Sequence, residues 1–504
     1  MLADMVMPSA RSSAHSAAPV ASATSCAVSR ARDDACPGAL RLHQADDGGL
    51  ARVRVPGGAL GTAQAAALRL AASRLGDGDL HLTSRGNVQL RGLRDDSGAE
   101  LARILDDAGL LPSAAHERVR NIVASPLSGL DGRGRRDIGT WLTELDRLVC
   151  ESEELRDLSG RFLFAVDDGR GDVASLGADV TLLAEREGRA LLRLGADAAA
   201  PALRVESGRA AAAAVTAAEV FLETARECGV RAWRVAELPV TSGDLARRTA
   251  ERLRGDGSDV GSVGSVGSVG NASDFGDVQL VPVPSLPPTA DEGPEPGPVR
   301  GPRPSGPVAL SVLAPLGRLT GGQWQLLTRT AEQEGGGGLR LTPWRGVVVP
   351  GLAPGGAPAA LAALGDAGLV TDPSSPWRGV GACAGRPGCA KSLTDVRADA
   401  AAALASRGGR RAPEESTGRA LPVYWSGCER RCGHPRGERV EVVAGADGYR
   451  ISVVRATGEA LPVRSAVHSA GHSDDLAATV AAARDPRSPD HRSPDTTRPL
   501  PTTP

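Results

Sequence analysis

Four cysteines carry the strongest chemical signal in this 504-residue sequence. Five residues separate Cys383 from Cys389, three separate Cys428 from Cys432, and 38 lie between the two pairs. Both pairs sit among small residues, in Gly381-Ala382-Cys383-Ala384-Gly385 and Ser426-Gly427-Cys428, with Gly433 directly after Cys432. Four thiolates can hold an iron–sulfur cluster, and small neighbours let backbone N–H groups approach the sulfurs. Structural zinc prefers a tighter hook of roughly two to four residues in each pair. Buried free thiols are the plain alternative. The favoured reading is a 4Fe-4S cluster. The remaining cysteines, Cys26, Cys36, Cys150 and Cys228, are scattered. Eight in all are too few for a disulfide scaffold, so a reducing cytoplasm is expected.

The rest of the chain must position these thiols. Net charge is −2, which gives no general field for nucleic acid or an anionic membrane. No apolar stretch is long enough to span a bilayer. Residues 1–32 read as a disordered leader without a secretory apolar region, with Met5 and Met7 as alternative starts. Residues 255–306 run through a Gly-Ser-Val repeat into a Pro-rich stretch and are expected to be a disordered linker. Residues 469–504 are expected to be a disordered tail. Between these lie two related halves. At an offset of 259, residues 53–93 align without a gap on 312–352, matching Val53/Val312, Pro56/Pro315, Gly58/Gly317, Gln64/Gln323, Leu80/Leu339 and Thr83/Thr342. Each copy reads strand, turn, helix, strand. In the first, Ala51 to Val55 is a strand ended by Pro56-Gly57-Gly58. Thr62 is expected to cap a helix striped by Ala66, Leu68, Leu70 and Leu75. Gly76 to Gly78 ends it, Leu80 starts the next strand, and a second helix follows at about 98–109.

The cysteine pattern, with Ser-Gly before the third cysteine, resembles the signature of the nitrite and sulfite reductase superfamily. So do Arg52-Val53-Arg54-Val55-Pro56-Gly57-Gly58, Leu82-Thr83-Ser84-Arg85-Gly86-Asn87-Val88-Gln89-Leu90 and Arg120-Asn121-Ile122. The resemblance implies an α+β fold of duplicated ferredoxin-like half-domains with pseudo-twofold symmetry. Two sulfite-reductase-like α/β domains complete it, the second carrying a 4Fe-4S cluster. The expected divisions are half-domain 1 at 33–95, a cluster-free domain at 96–254, half-domain 2 at 307–355 and the cluster domain at 356–468. Within the superfamily, Arg340-Leu341-Thr342-Pro343-Trp344-Arg345, Cys432-Gly433-His434-Pro435 and Phe162-Leu163-Phe164-Ala165-Val166-Asp167-Asp168-Gly169 are similar to the precorrin-3B synthase family. That similarity implies a cytoplasmic monooxygenase of aerobic cobalamin biosynthesis. Its substrates would be precorrin-3A and dioxygen, its cofactor a 4Fe-4S cluster, with a mononuclear non-haem iron as a further candidate and NADH as electron source.

Such a substrate carries many carboxylates, and arginine offers each a planar, permanently charged fork. Arg54, Arg85, Arg120, Arg161, Arg340 and Arg345 are therefore expected to bind substrate. Asn87, Gln89 and Asn121 would add neutral hydrogen bonds, and Trp344 a flat apolar face. On a strand, Arg85, Asn87 and Gln89 would share one side. The competing readings are solvated arginines and a core tryptophan. His434 and Asp167-Asp168 could ligate a mononuclear iron, or be a loop histidine and an Asx-turn. Gly335 to Gly338 lacks the Lys-Ser/Thr of a phosphate loop. The chain has no dinucleotide fingerprint, so electrons are expected from a separate reductase or ferredoxin. Of 58 basic residues one alone, Lys391, is lysine, and Leu163 stands where a reductase of this superfamily places a second lysine after Arg161-Phe162. This argues against the alternative of a sirohaem-dependent sulfite or nitrite reductase. A non-catalytic iron–sulfur electron carrier is the third reading.

Overall fold

The structure is a computed structural model and describes residues 34, 36–255, 278–283, 293–405, 420–435, 437–463 and 473–485. The leader at 1–32 and the Gly-Ser-Val repeat lie outside the described residues.

The first unit comprises β1 (His43–Ala45), β2 (Gly48–Val53), β3 (Ala59–Gly61), α1 (Thr62–Leu75), β4 (Leu80–Leu82), β5 (Val88–Leu93) and α2 (Gly98–Asp107). Ala65, Leu68, Ala71, Ala72 and Leu75 recur at helical spacing and face the core. Ala66 and Leu70, expected in that stripe, point to solvent. The helix cap is Gly61, not Thr62: the Gln64 side chain accepts from the Gly61 amide at 3.1 Å.

A second unit follows, with β6 (Ile122–Ala124), α3 (Gly139–Glu151), β7 (Phe164–Asp167), β8 (Val180–Ala184), β9 (Arg189–Leu194), β10 (Ala202–Glu206), α4 (Ala210–Glu227), α5 (Ser242–Arg254) and β11 (Gln279–Val281). Its sheet runs β11-β10-β9-β8-β7-β6. The helix α3 turns Trp141, Leu145, Leu148 and Val149 inward, while α4, apolar nearly all round, is buried on most of its surface.

The third unit repeats the first, with β12 (Gly297–Arg300), β13 (Val308–Leu313), β14 (Arg318–Leu319), α6 (Gly321–Gln333), β15 (Gly338–Leu341), β16 (Gly346–Leu352) and α7 (Ala357–Asp366). The fourth has β17 (Val380–Ala382), α8 (Val396–Ala405), β18 (Val423–Ser426), β19 (Arg439–Gly445), β20 (Gly448–Val454), β21 (Ala460–Val463) and α9 (Ser473–Arg484).

The sequence offset of 259 is realised in space. The strand β3 pairs with β15 of the other copy, and β14 pairs with β4, so the two half-domains exchange edge strands. They share one core, which includes Leu68, Leu80, Leu101, Trp324, Leu327 and Leu339. Trp324 donates its indole N–H to the carbonyl of Ala65 at 2.8 Å, a link between positions related by that offset. Two left-handed turns match as well. Gly57 and Leu316 have φ of 60° and 53°, and Gly86 and Arg345 have 67° and 60°. A non-glycine residue there is uncommon and strained.

The other two units are also alike. In each, three parallel strands (β6-β7-β8 and β17-β18-β19) continue into antiparallel ones.

Four expected divisions need correction. Leu101, Ile104 and Leu105 of α2, and Ala357, Ala360 and Leu364 of α7, enter the shared core, so the half-domains run past 95 and 355. The 255–306 segment is not wholly a disordered linker, because Val278 is buried, β11 pairs with β10, and β12 pairs with β13. The 469–504 tail contains α9, whose Leu476, Ala477, Val480 and Ala483 pack into the fourth core.

Candidate functional site

In open α/β sheets, ligands meet the loops beyond the carboxyl ends of parallel strands. Cys383 follows β17 directly, and Cys428 lies two residues past β18. A Cβ on Gly427 would fall 1.7 Å from Ser392 Oγ, so only glycine lets the two loops approach. The Gly427 amide then donates to Cys383 Sγ at 3.3 Å. Burial raises the Cys432 thiol pKa, and the charges of Cys428, Cys383 and Cys389 raise it further. The other three thiols thus lie near enough to Cys432 for their charges to act on it. Among the described residues, no three His, Cys, Asp or Glu side chains converge on a single ion position. Four thiolates that each take a separate iron of one cluster do not need to converge.

The corresponding loops of the second unit carry no cysteine. Ser125 follows β6 as Cys383 follows β17. Its hydroxyl donates to Asp172 at 2.6 Å. Asp168 pairs with Arg170, which also takes Asp131 at 2.9 Å. Asp167 is fully buried and accepts backbone N–H bonds from Gly169, Gly171 and Ala174. Asp167-Asp168 is therefore a turn-forming, ion-paired element and not an iron ligand pair. Every oxygen of the two carboxylates already accepts at least one hydrogen bond.

A cavity of about 330 Å³ lies where all four units meet. Ser84 and Arg85 come from the turn before β5, Leu163, Leu176 and Arg234 from the second unit, and Trp344 and Arg345 from the turn between β15 and β16. Trp377, Tyr424, Gly433 and His434 come from the fourth unit. The turn residues are set by matched hydrogen bonds. Thr83 Oγ1 accepts from the Asn87 amide at 3.1 Å, and Thr342 Oγ1 from the Gly346 amide at 3.0 Å. Trp344 rests on an apolar group of Val123, Leu163, Ala165, Val173 and Ala178. The Arg345 guanidinium lies 5.9 Å from the Tyr424 ring centroid.

Arg85 forms no ion pair and no side-chain hydrogen bond among the described residues. Burial pushes its pKa down to about 10, with the charges of Arg54, Arg234 and Arg52 adding to the effect. The side chain is thus a half-buried cation whose neighbours include three other cations. Arg234 is held by Asp179 at 2.6 Å and by the Gly177 carbonyl at 2.7 Å.

Of the ten residues expected to bind substrate, Arg85, Trp344 and Arg345 line this cavity. The others are placed elsewhere. Arg54 donates to Asn121 Oδ1 at 3.0 Å and to the Gly160 carbonyl at 2.9 Å. Asn87 accepts from the Val55 amide, and Asn121 donates to the Phe162 carbonyl. These three form one buried network that joins the first two units. Arg120 makes a two-point pair with Asp146 at 2.8 and 2.7 Å and donates to the Leu110 carbonyl, which leaves no fork for a ligand. Arg340 donates to the carbonyls of Pro126 and Ser128 and ties the third unit to the second. Arg161 is exposed over the Trp233 ring at 4.8 Å. Gln89 stands in β5 between Arg52 and His81. Arg85 is in the turn before β5, so it does not share a strand face with Asn87 and Gln89. The sequence reading missed Arg234, Trp377 and Tyr424. Nothing in their local pattern marks them, because they reach the cavity only through tertiary packing.

Paired, strand-exchanged half-domains, a cysteine-bearing α/β unit and a cavity where the units meet define the nitrite/sulfite reductase architecture. The model of the nitrite/sulfite reductase ferredoxin-like half domain matches residues 43–108 and 302–367, so the chain carries two copies of that half-domain. A precorrin-3B synthase from Sinorhizobium sp. is 25% identical over 443 residues, which is 86% of this chain and 85% of the relative. A ferredoxin–nitrite reductase from Synechococcus elongatus is 27% identical over 406 residues, 77% of this chain and 74% of the relative. The solved structure of Mycobacterium tuberculosis NirA superposes with a TM-score of 0.63 at 19% identity, over 85% of this chain and 79% of that one.

Proposed function

We propose that the chain is an oxidoreductase that acts on a polycarboxylate tetrapyrrole and converts precorrin-3A, with dioxygen, to precorrin-3B. The observation that carries this reading is the cavity, lined by arginines and free of lysine, with Gly433-His434-Pro435 in its wall directly after the fourth cysteine. Arg85, Arg234 and Arg345 take carboxylates of the macrocycle, and Trp344 and Trp377 offer it flat apolar surface. Cys383, Cys389, Cys428 and Cys432 would hold a 4Fe-4S cluster, which supplies electrons singly when bound. In the overall reaction one oxygen atom enters the substrate as a hydroxyl at carbon 20, and a ring A acetate side chain separately closes a γ-lactone. The other oxygen leaves as water, and the donor supplies two electrons and two protons. NADH is the indirect source, through a reductase or ferredoxin. His434 is the remaining candidate for a mononuclear iron.

The second reading is a sirohaem-dependent nitrite or sulfite reductase, favoured by the ferredoxin–nitrite reductase relative. Anion reduction requires proton delivery. Arginine is a poor proton donor near neutral pH, and Lys391 is exposed outside the cavity lining. The optical spectrum of anaerobically purified protein separates the two readings. A broad brown absorbance, lost together with iron and sulfide when any of the four cysteines becomes serine, supports the proposal. A sharp Soret band from extractable sirohaem overturns it.

A further inference from the structure

Between the first half-domain and the cysteine loops, two arginines cross from one unit to the other. Arg91, on β5, donates to the Gly388 carbonyl at 2.7 Å, one residue before Cys389. Its charge is matched by Asp47, which takes Nε and Nη2 at 2.7 and 2.8 Å. A Cβ on residue 388 would lie 2.6 Å from Arg91 Nη2, so glycine is needed for this approach. Asp46 fixes the same loop by accepting from the Ala390 amide.

Arg397, on α8, differs. Its Nε donates to the carbonyl of Cys383 at 3.2 Å, and its Nη1 donates to His81 Nδ1 at 3.1 Å. Since a guanidinium only donates, Nδ1 of His81 is the acceptor, and the ring proton sits on Nε2. That nitrogen is 3.8 Å from Asp77 Oδ2, too far for a hydrogen bond. His81 is therefore a neutral partner, and no carboxylate pairs with Arg397 among the described residues. The other charged groups that act on Arg397 include three more cations, Arg91, Arg318 and Arg345. An uncompensated positive charge is thus held, half-buried, against the backbone of a cysteine in the four-thiol site.

We infer that Arg397 is a positioning residue that raises the reduction potential of the cluster held by Cys383, Cys389, Cys428 and Cys432, with His81 keeping the guanidinium in place without neutralising it. The inference rests on the proposed cluster. An electron added there makes the site more negative, and a fixed nearby cation stabilises that state. The first half-domain thereby helps to set how readily the thiol site of the fourth unit accepts an electron.

The test is a redox titration of the full-length, cluster-loaded protein, followed by electron paramagnetic resonance. In Arg397→Gln, the ratio of reduced to oxidised cluster at a fixed solution potential should fall on the order of tenfold, a shift of about 59 mV for one electron. Arg397→Lys should restore most of it. His81→Glu keeps the arginine and sets a carboxylate against it, so it should shift the potential in the same direction as Arg397→Gln. An unchanged potential in Arg397→Gln and His81→Glu, or loss of iron from both, overturns the inference and leaves Arg397 a structural cross-link. Absence of iron and sulfide from the unmutated protein would instead sink the cluster reading itself.

Discussion

Replacement of Arg85 by methionine should stabilise the ligand-free protein while it weakens binding of a polycarboxylate ligand. Arg85 is charged in the unfolded chain, and its folded-state pKa is pushed down to about 10 by burial and neighbouring arginines. For a base whose folded pKa is depressed, the cost of folding is full at every pH below that folded value. It disappears only as pH climbs from about 10 into the ordinary titration range of arginine. Taken at face value, the shift corresponds to about 3 kcal/mol. Solvent screening and the lost contacts of the stem reduce this to about 1–2 kcal/mol. Methionine keeps much of the bulk and removes the charge, so the melting temperature at pH 7 should rise by about 1–2 °C. A thermal melt with and without a uroporphyrin-type polycarboxylate reads both effects. The ligand should raise the melting temperature of the original protein clearly and that of Arg85→Met far less. A lower melting temperature for the ligand-free variant, or undiminished stabilisation by the ligand, would refute the reasoning.

Three further perturbations test the architecture. Arg120→Met should lower stability by about 3 kcal/mol, because it strands Asp146 and the Leu110 carbonyl; the melt should show this without any selective loss of ligand stabilisation. Gly58→Ala should be far more damaging than Gly317→Ala, although both have positive φ. The new Cβ would lie 1.9 Å from the Leu341 carbonyl oxygen in one case and 2.5 Å from the movable Arg345 side chain in the other, and soluble yield and melting temperature should rank them so. The Asp172 carboxyl is raised to about 7 by burial first and by Asp167 second, so its burial costs stability as pH rises from about 4 through 7. Asp172→Asn should raise the melting temperature most at pH 8, less at pH 5, and hardly at all below pH 4.

The duplication was legible because turn chemistry and hydrophobic period recur at a constant offset, and Gly58 and Gly317 then occupy matching left-handed turns. The cysteine spacing was legible because each pair is local, so glycines and thiols in one loop reveal their neighbourhood. The arginines were less so. In a chain where arginine replaces nearly all lysine, residue type does not tell the cavity-lining Arg85 from Arg120, which is consumed by Asp146, 26 residues on. Arg234 and Tyr424 enter the cavity from distant units, and no local pattern predicts that. The Pro-rich stretch hid β11 and β12 because each is a short edge strand that gains its order from a long-range partner, β10 or β13. The α9 segment was hidden among charged and Ser/Pro-rich neighbours, since only a few alanines, a leucine and a valine mark its buried side.

The most direct test of the proposed reaction is turnover of precorrin-3A by anaerobically purified, cluster-loaded protein with an electron donor, in labelled dioxygen and in its absence, read by mass spectrometry. The account predicts a product only when dioxygen is present, with one labelled oxygen atom retained as the new hydroxyl. Stoichiometric sirohaem in the purified protein, with reduction of nitrite or sulfite at a comparable rate and no oxygen incorporated into precorrin-3A, would contradict it.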